Sequence, residues 1–148
     1  MRVVLQRVKR AQVTVNEAVI GKIGTGVVLL VGFTDGDGPA EIEYCTRKIT
    51  RARIFADSNG KMNQNIQAVG GAILVVSQFT LYANTRRGNR PSFTAAEEAG
   101  KAQSHYEQFI ACLRETGVPV ATGQFGADMR VELVNDGPVT IIYDTNDK

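Results

Sequence analysis

The sequence predicts an α+β fold in a single domain that covers residues 1–148, and three observations support this. The length of 148 residues is typical of one domain, which buries about two thirds of the surface of its unfolded chain. Two apolar runs of strand length, residues 26–33 and 72–76, are rich in Val, Leu and Ile. Two further segments repeat apolar residues at helical spacing, so two helices are expected beside the strands.

The first strands are predicted from alternation and from one turn. Apolar and polar residues alternate over 11–15, the chain turns at Asn16 and Glu17, and the strand pattern resumes over 18–20. This pattern predicts an antiparallel hairpin. The continuous apolar run 26–33 is typical of a strand that is covered on both faces, and we expect it at the centre of its sheet.

The first helix is predicted from Pro39 to about Arg51. Proline suits the first turn of a helix, and Ile42, either Cys45 or Thr46, and Ile49 recur at helical spacing. The cluster of Asp and Gly residues at 35–38 provides the preceding turn.

The second helix is predicted over residues 95–115. Thr94 to Glu97 has the form of a capping box, and Gly117 is suited to the left-handed conformation that closes a helix. One face carries the apolar residues that would pack on the sheet, namely Ala102, Tyr106, Phe109, Ile110 and Leu113.

Strands are predicted again before and after this helix. The buried strand 72–76 leads directly into the segment Ser77–Tyr82, which we expect to continue as a strand with alternating sides. Ser77, Phe79 and Leu81 would then face one side, and Gln78, Thr80 and Tyr82 the other. From Val120 the chain returns to strands, including 129–133 and 139–143.

The net charge, the lengths of the apolar runs and the charged residues near the N-terminus limit the classes of function. A net charge of +2 is too small for a protein that wraps a long nucleic acid, although it permits contact with a few phosphates. No apolar run is long enough to cross a membrane, and Arg7 and Lys9 precede any long apolar stretch, so no signal peptide is expected. We therefore predict a cytoplasmic protein that does not bind membranes.

The sequence offers little to bind a metal or to build a hydrolytic triad. Cys45 and Cys112 lack the spacing of metal ligands and are predicted to be small core residues. His105 is the only histidine and is expected on the surface of the second helix. The chemistry is therefore expected to need no metal and no other cofactor.

Two short motifs carry the functional hypothesis. Ser77–Tyr82 follows a buried strand with hydroxyl and amide side chains, although a half-exposed strand would look the same. In the motif 135–140, the dipeptide Gly137-Pro138 has a small penalty for a cis bond and can point two carbonyls in one direction, toward an ammonium group. An ordinary turn is the alternative for this second motif.

A loop close to the first motif contains three arginines. Arg86, Arg87 and Arg90 flank Gly88, and their forked guanidinium groups are suited to phosphate. A solvated loop that promotes solubility is the alternative.

Together the two motifs, with Phe125 to Met129 between them, resemble the D-aminoacyl-tRNA deacylase family, also called D-tyrosyl-tRNA(Tyr) deacylases. The resemblance extends over essentially the whole chain. It implies a compact, barrel-like antiparallel or mixed sheet with two main flanking helices, and a homodimer with the active site at the subunit interface.

The resemblance also implies the composition of the site. Ser77, Gln78, Phe79 and Thr80 of one subunit would meet the cis Gly137-Pro138 of the other, whose wall would exclude L-amino acids. Two residues, Phe125 and Met129, would line the pocket, and Arg7 would hold the Gly-Pro loop.

The implied reaction is hydrolysis of the ester between a D-amino acid and tRNA, which keeps D-residues out of translation; glycyl-tRNA is an expected second substrate. Either Thr80 attacks the ester, or the ribose 2′-hydroxyl of the substrate helps to activate water while the N–H groups of Phe79 and Thr80 stabilise the oxyanion. We favour the second mechanism because no base near Thr80 is evident in the sequence.

Three alternatives remain at this stage. A module could bind an RNA end without cleaving it, a serine esterase could recruit His105, or the chain could have a purely structural role.

Overall fold

The computed structural model describes residues 1–147, so Lys148, the last residue of the predicted domain, lies outside the described residues. The described residues form eight strands, two α-helices and one 3₁₀ turn in the following order: β1 (Arg2–Val15), β2 (Ala18–Ile23), β3 (Gly26–Gly32), α1 (Pro39–Thr50), β4 (Phe55–Ala56), β5 (Met62–Gln64), β6 (Ala72–Ser77), the 3₁₀ turn (Phe79–Tyr82), α2 (Ala99–Glu115), β7 (Val120–Thr122) and β8 (Arg130–Asp144).

The main sheet is mixed and has the order β2-β1-β3-β6-β7, with β8 also paired to β1. The pairs of β1 with β2, β3 and β8 are antiparallel, whereas β3-β6 and β6-β7 are parallel, and α1 and α2 lie in the two crossovers. The β2 and β7 backbones approach closely, because a Cβ atom on Gly21 would lie 2.7 Å from the carbonyl oxygen of Thr122. The sheet is therefore nearly closed, and the predicted α+β, barrel-like fold with two helices is confirmed.

The predicted hairpin and central strand are both confirmed. Asn16 and Glu17 have φ values of 47° and 65°, the left-handed pair that joins two twisted strands through a two-residue turn. The β3 strand lies between β1 and β6 and is buried on both faces. Val27, Leu29 and Val31 belong to the core beneath the helices, and Val28 belongs to a second core on the opposite face.

The first helix agrees with prediction, but the start of the second does not. The α1 helix begins at Pro39 and ends at Thr50, with Arg51 as its C-cap residue. The α2 helix begins at Ala99, four residues later than predicted, because the capping residue is Glu98.

The helix start is set by side-chain and backbone contacts. The carboxylate of Glu98 accepts hydrogen bonds from the N–H groups of Gly100 and Lys101 at 2.9 and 3.1 Å. The N–H of Glu97 instead donates to Phe33 O at 3.0 Å, so the predicted capping box does not form. The predicted apolar face is buried as expected, and Gly117 has a φ of +82° after the helix ends.

The predicted continuation of β6 through the first motif is wrong. The N–H of Gln78 donates to Val31 O at 2.7 Å, and one residue further along β3 ends at Gly32, so no partner strand continues. The chain turns instead, since the N–H groups of Leu81 and Ala83 donate to Gln78 O and Thr80 O. The alternation of sides therefore ends at Ser77.

The two cysteines differ in burial. Cys45 is fully buried in the core beneath the helices, and Cys112 is partly buried against it; within the described residues neither forms a disulfide. Burial raises the pKa of the Cys112 thiol, and the charges of Glu115 and Glu43 raise it further. In residues 1–147 no helix is both long enough and apolar enough to cross a membrane.

Candidate active site

A cavity of about 580 Å³ lies at the end of β6. Predicted site residues contribute much of its wall, namely Ser77, Gln78, Phe79, Phe125 and Met129. The other predicted residues, Thr80, Arg7, Gly137 and Pro138, are not among the described residues that line it. The structure thus joins the first motif to the segment 125–129 and leaves the second motif elsewhere in the same chain.

The 3₁₀ turn at this cavity carries free backbone donors. Its internal hydrogen bonds begin at the N–H of Leu81, and within residues 1–147 the N–H groups of Phe79 and Thr80 have no acceptor. The first donors of a helical turn are commonly left unpaired in this way. Two adjacent N–H groups without an acceptor can donate hydrogen bonds to a negatively charged oxygen.

The side chains of the turn offer no base. Gln78 Nε2 donates to Thr80 Oγ1 at 2.5 Å, and this is the one hydrogen bond of that hydroxyl within the described residues. An amide nitrogen cannot accept a proton, so Gln78 orients the Thr80 hydroxyl without activating it. Because no base among the described residues is hydrogen-bonded to Thr80 Oγ1, this geometry disfavours Thr80 as a nucleophile.

Arg2, which the sequence did not indicate as a site residue, contacts the 3₁₀ turn. Its Nη1 donates to Leu81 O at 2.7 Å, its Nη2 lies 2.6 Å from Asp144 Oδ2, and its guanidinium lies 4.8 Å from the centre of the Tyr82 ring. Burial opposes ionisation of Asp144, but the hydrogen bond from Arg2 and the other contacts lower the pKa of this carboxyl below its usual value. Arg2, at the start of β1, therefore links the turn to Asp144, at the end of β8.

Aromatic packing fixes the cavity wall. The Phe125 ring lies 5.8 Å from that of Tyr106, whose hydroxyl donates to Val75 O at 2.9 Å. Burial raises the pKa of Tyr106 to about 12. On the outer side, Phe79 and Phe93 pack edge to face with their centroids 5.2 Å apart, although Phe79 remains 57% exposed.

His105 was predicted on the surface of the second helix, but its side chain is partly buried. Its Nδ1 lies 2.8 Å from Glu97 Oε2, and its ring lies 5.7 Å from that of Phe33. Glu97 lines the cavity, yet sequence reasoning assigned this residue only to the capping box. A spacing of eight residues across a loop and a helix start carries no local signal that these side chains meet.

The second motif lies within β8, on the side of β1. The register of β1 with β8 passes from Gln6–Thr140 to Val8–Asn135, so residues 136–139 bulge opposite Arg7. The Gly137-Pro138 peptide bond is cis, as the resemblance implied, and Gly137 has a φ of +125°. Both residues are exposed.

Arg7 supports this bulge through several contacts. Its Nε donates to Asp136 O at 2.9 Å, and its Nη1 donates to Ile54 O. The carboxylate of Asp136 lies 3.6 Å from Arg7 Nε and 3.3 Å from Lys9 Nζ. Arg7 is therefore hydrogen-bonded to the residue that precedes Gly137.

The two motifs are distant from each other in one chain. Ser77 is paired with Val31, which in turn is paired with Val3, whereas the Gly-Pro bulge lies opposite Arg7. Four residues along a strand and three steps between strands place the two motifs about 20 Å apart along the sheet. One chain therefore does not bring Gly137-Pro138 to its own cavity.

The arginine loop adjoins the cavity through Phe93. Asn84 and Ser92 pair across its base, with N–H to O distances of 2.7 and 3.0 Å. Arg86, Arg87 and Arg90 are exposed, and none of them forms an ion pair with the described residues. Within the described part of the chain no group of three or more His, Cys, Asp or Glu side chains could hold a metal ion.

Comparison with known proteins identifies relatives of the whole chain. A family model described as D-Tyr-tRNA(Tyr) deacylase matches residues 4–144. D-aminoacyl-tRNA deacylases from two strains of Limosilactobacillus reuteri, DSM 20016 and JCM 1112, are each 53% identical over 144 residues, which is 97% of this chain and 99% of the relative.

Two solved structures are similar in fold. One, described as c-Myc DNA Unwinding Element Binding Protein, has a TM-score of 0.92 and 40% identity over 98% of this chain and 99% of its own. The other, described as a probable eukaryotic D-amino acid tRNA deacylase, has a TM-score of 0.80 over 96% of this chain and 97% of its own. At 18% identity, this second match supports the fold alone.

Proposed function

The chain belongs to the D-Tyr-tRNA(Tyr) deacylase family, and we propose that this hydrolase cleaves the ester between a D-amino acid and the terminal adenosine of tRNA. The products are free D-amino acid and reusable tRNA, so the reaction keeps D-residues out of newly made proteins. The observation that carries this proposal is the 53% identity to D-aminoacyl-tRNA deacylases over 97% of the chain.

The free N–H groups of Phe79 and Thr80 support a mechanism built on the backbone. In this mechanism they bind the carbonyl oxygen of the ester as it becomes negatively charged. A water oxygen adds to the carbonyl carbon, and the ribose 2′-hydroxyl accepts the water proton while passing its own to the 3′ oxygen. The bond from the carbonyl carbon to that 3′ oxygen then breaks.

The side chains around these donors position the substrate. Ser77 and Gln78 lie beside the turn and would orient the ester and the ribose, while Phe125 and Met129 form the wall of the cavity. Gln78 also fixes the Thr80 hydroxyl through the 2.5 Å hydrogen bond. No metal or other cofactor has a role in this scheme.

Stereospecificity requires a second chain in this proposal. The exposed Gly137-Pro138 of one subunit would enter the cavity of its partner in a homodimer, because its own cavity lies about 20 Å away along the sheet. Its two carbonyls would accept hydrogen bonds from the α-ammonium group. An L-residue would direct its side chain into this wall, whereas a D-residue would direct it toward open space.

Glycyl-tRNA would also be hydrolysed, since glycine has no side chain to collide with the wall. The exposed Arg86, Arg87 and Arg90 would contact phosphates near the tRNA end. Replacing all three with Ala should reduce the slope of log affinity against log salt by about 0.7 for each lost contact. A cytoplasmic location follows if tRNA is the substrate.

The direct test uses matched D-tyrosyl-tRNA and L-tyrosyl-tRNA with catalytic amounts of the purified protein and a chelator. Rapid release of D-tyrosine alone is expected. Equal release from both esters would contradict the Gly-Pro wall. Binding of tRNA without release of either amino acid would favour the alternative, a module that binds an RNA end.

A further inference from the structure

The cavity contains one buried charged group that the proposed mechanism does not use. Glu97 is the one charged residue among the described residues that line the cavity, and its side chain is 3% exposed. The N–H of Glu97 donates to Phe33 O at 3.0 Å, which anchors the backbone at this position. The carboxylate is therefore held in place at the wall.

His105 is hydrogen-bonded to one of the two carboxylate oxygens of Glu97. Its Nδ1 lies 2.8 Å from Glu97 Oε2, and because a carboxylate only accepts, the ring carries a hydrogen on Nδ1 and donates it. The His105 side chain is 20% exposed, and its ring packs 5.7 Å from that of Phe33. These contacts orient the carboxylate.

The other oxygen of Glu97, Oε1, accepts no hydrogen bond from residues 1–147. Unlike the hydroxyl of Tyr82, Oε1 is not a fully buried atom without a partner, so it is accessible to a hydrogen-bond donor from outside the chain. Because Glu97 lines the cavity, a ligand in the cavity is the available source of a donor.

The remaining wall is suited to a flat aromatic ligand. Phe79, Phe93 and Phe125 contribute rings, and much of the rest consists of small or apolar side chains. A volume of about 580 Å³ lies in the range of small-molecule sites. Bases at unpaired RNA ends are typically bound by stacking on aromatic side chains and by hydrogen bonds to their edges.

We propose that Glu97, oriented by His105, recognises the exocyclic amino group of the terminal adenine of the substrate. This inference rests on the proposed function, since tRNA ends in adenosine. The N6 amino group of adenine donates hydrogen bonds, whereas guanine and hypoxanthine present an acceptor oxygen at the same position. The Oε1 atom would therefore accept from adenine and repel the other two bases.

The decisive measurement compares D-tyrosyl RNA minihelices that end in adenosine or in inosine. For the wild type, the inosine-ended substrate should show a higher KM, with kcat/KM lower by about tenfold to a hundredfold. Glu97→Gln retains an acceptor for His105 and can also donate to hypoxanthine, so its preference for adenosine should fall toward unity. Glu107→Gln, an exposed carboxylate on α2, should retain the wild-type preference.

His105 acts as a positioning residue in this proposal. His105→Ala should reduce the preference for adenosine mainly through KM, with little change in kcat. His105→Asn places an amide donor near the position of Nδ1 and should restore the preference. An equal loss of activity on both minihelices in His105→Ala, with no rescue by Asn, would indicate a structural role and overturn the assignment.

A binding measurement separates this inference from the deacylase activity. NMR titration of the wild type with adenosine 5′-monophosphate and inosine 5′-monophosphate should show tighter binding of the adenine nucleotide, and Glu97→Gln should abolish the difference. This result would support base recognition even if no ester were hydrolysed. Equal affinities in the wild type, no binding of either nucleotide, or a loss in Glu97→Gln that is independent of the base would overturn the proposal.

Discussion

The first motif offers hydrogen-bond donors on a turn beside the cavity. The second motif offers hydrogen-bond acceptors on an exposed bulge of β8. The turn Phe79–Tyr82 has unpaired N–H donors within the described structure and adjoins an aromatic cavity of its own chain. The bulge at Gly137-Pro138 is exposed, away from that cavity, and held by the charged side chain of Arg7. The first region can stabilise a negative oxygen, and the second can present carbonyls to a cation.

A site with few catalytic side chains can be built from two such regions. Backbone groups are rigid when their surroundings fix them, so they need no reorganisation during the reaction. Arg2 anchors the turn through Leu81 O, and Arg7 anchors the bulge through Asp136 O. In the proposed dimer the turn supplies hydrogen-bond donors and the bulge of the other subunit supplies carbonyl acceptors.

The largest expected effect comes from removing one N–H of the turn. Phe79→Pro deletes that donor, and proline suits the first residue of a helical turn because the N–H at that position has no partner within the turn. Loss of one oxyanion donor should reduce kcat on D-tyrosyl-tRNA by about 10²–10³-fold.

Phe79→Ala is the matched control because it removes the ring and retains the N–H. In single-turnover kinetics of both variants on D-tyrosyl-tRNA, a much smaller loss of rate is expected for Phe79→Ala. If the two variants lose activity equally, the Phe79 ring and not its N–H is important. The proposed role of the turn as a source of backbone donors would then be wrong.

Enlarging Gly137 tests the bulge. A Cβ atom there would lie 2.9 Å from Arg7 Nη2 and 3.0 Å from Val139 Cγ2, at a φ of +125° that L-residues rarely adopt. A displacement of the loop by about 1 Å should lower kcat/KM by about 10²-fold. Gly60→Ala, at a φ of +76° with nothing within 4 Å, should remain as active as the wild type.

The same variant shows whether the two regions act in one site across two chains. Dimers re-formed from an equal mixture of Phe79→Pro and Gly137→Ala chains should regain activity, up to about one quarter of the wild-type sites, because half of the dimers then pair one intact turn with one intact bulge. Activity that stays at the level of the separate variants would contradict a shared site.

Removing the support of the bulge should have a smaller effect. Arg7→Ala deletes the hydrogen bonds to Asp136 O and Ile54 O, and we expect a loss of about tenfold in kcat/KM. Chemical denaturation should show a loss of about 2 kcal/mol, since hydrogen bonds from charged groups are involved. Arg10→Ala, an exposed neighbour, should change neither quantity; an Arg7→Ala enzyme with normal activity would remove Arg7 from the site.

The smallest effect is expected for the Thr80 hydroxyl. Thr80→Ala removes the acceptor for Gln78 Nε2, which should cost no more than about 1 kcal/mol, or about fivefold in kcat. Single-turnover kinetics on D-tyrosyl-tRNA would check this. Complete loss of chemistry with unchanged tRNA affinity would identify Thr80 as the nucleophile and overturn the backbone mechanism.

Local pattern alone predicted several elements correctly. The alternation over 11–15 with the turn at Asn16 and Glu17 specified the hairpin, and the helical spacing from Pro39 specified α1. The apolar face of α2 was also predicted, although its start was not. Hydrophobic periodicity reflects which side of each element is buried, so a single sequence is enough to find it.

The same local pattern misled where distant partners decide the structure. Alternation continued through Ser77–Tyr82, but the strand stops because β3 ends at Gly32 and no neighbour remains to accept hydrogen bonds. Glu97 looked like part of a capping box, but its backbone pairs with Phe33 and its side chain pairs with His105. Neither partner is adjacent in sequence.

The sequence by itself determined the types of element, the family and the two motifs, because periodicity, turn residues and motif identity are local properties of the chain. Only the tertiary structure decided that the N–H groups of Phe79 and Thr80 find no acceptor among residues 1–147, that Glu97 meets His105, and that Gly137-Pro138 lies away from the cavity. These outcomes depend on strand register and on where neighbouring strands end, which are set by contacts between residues far apart in the chain.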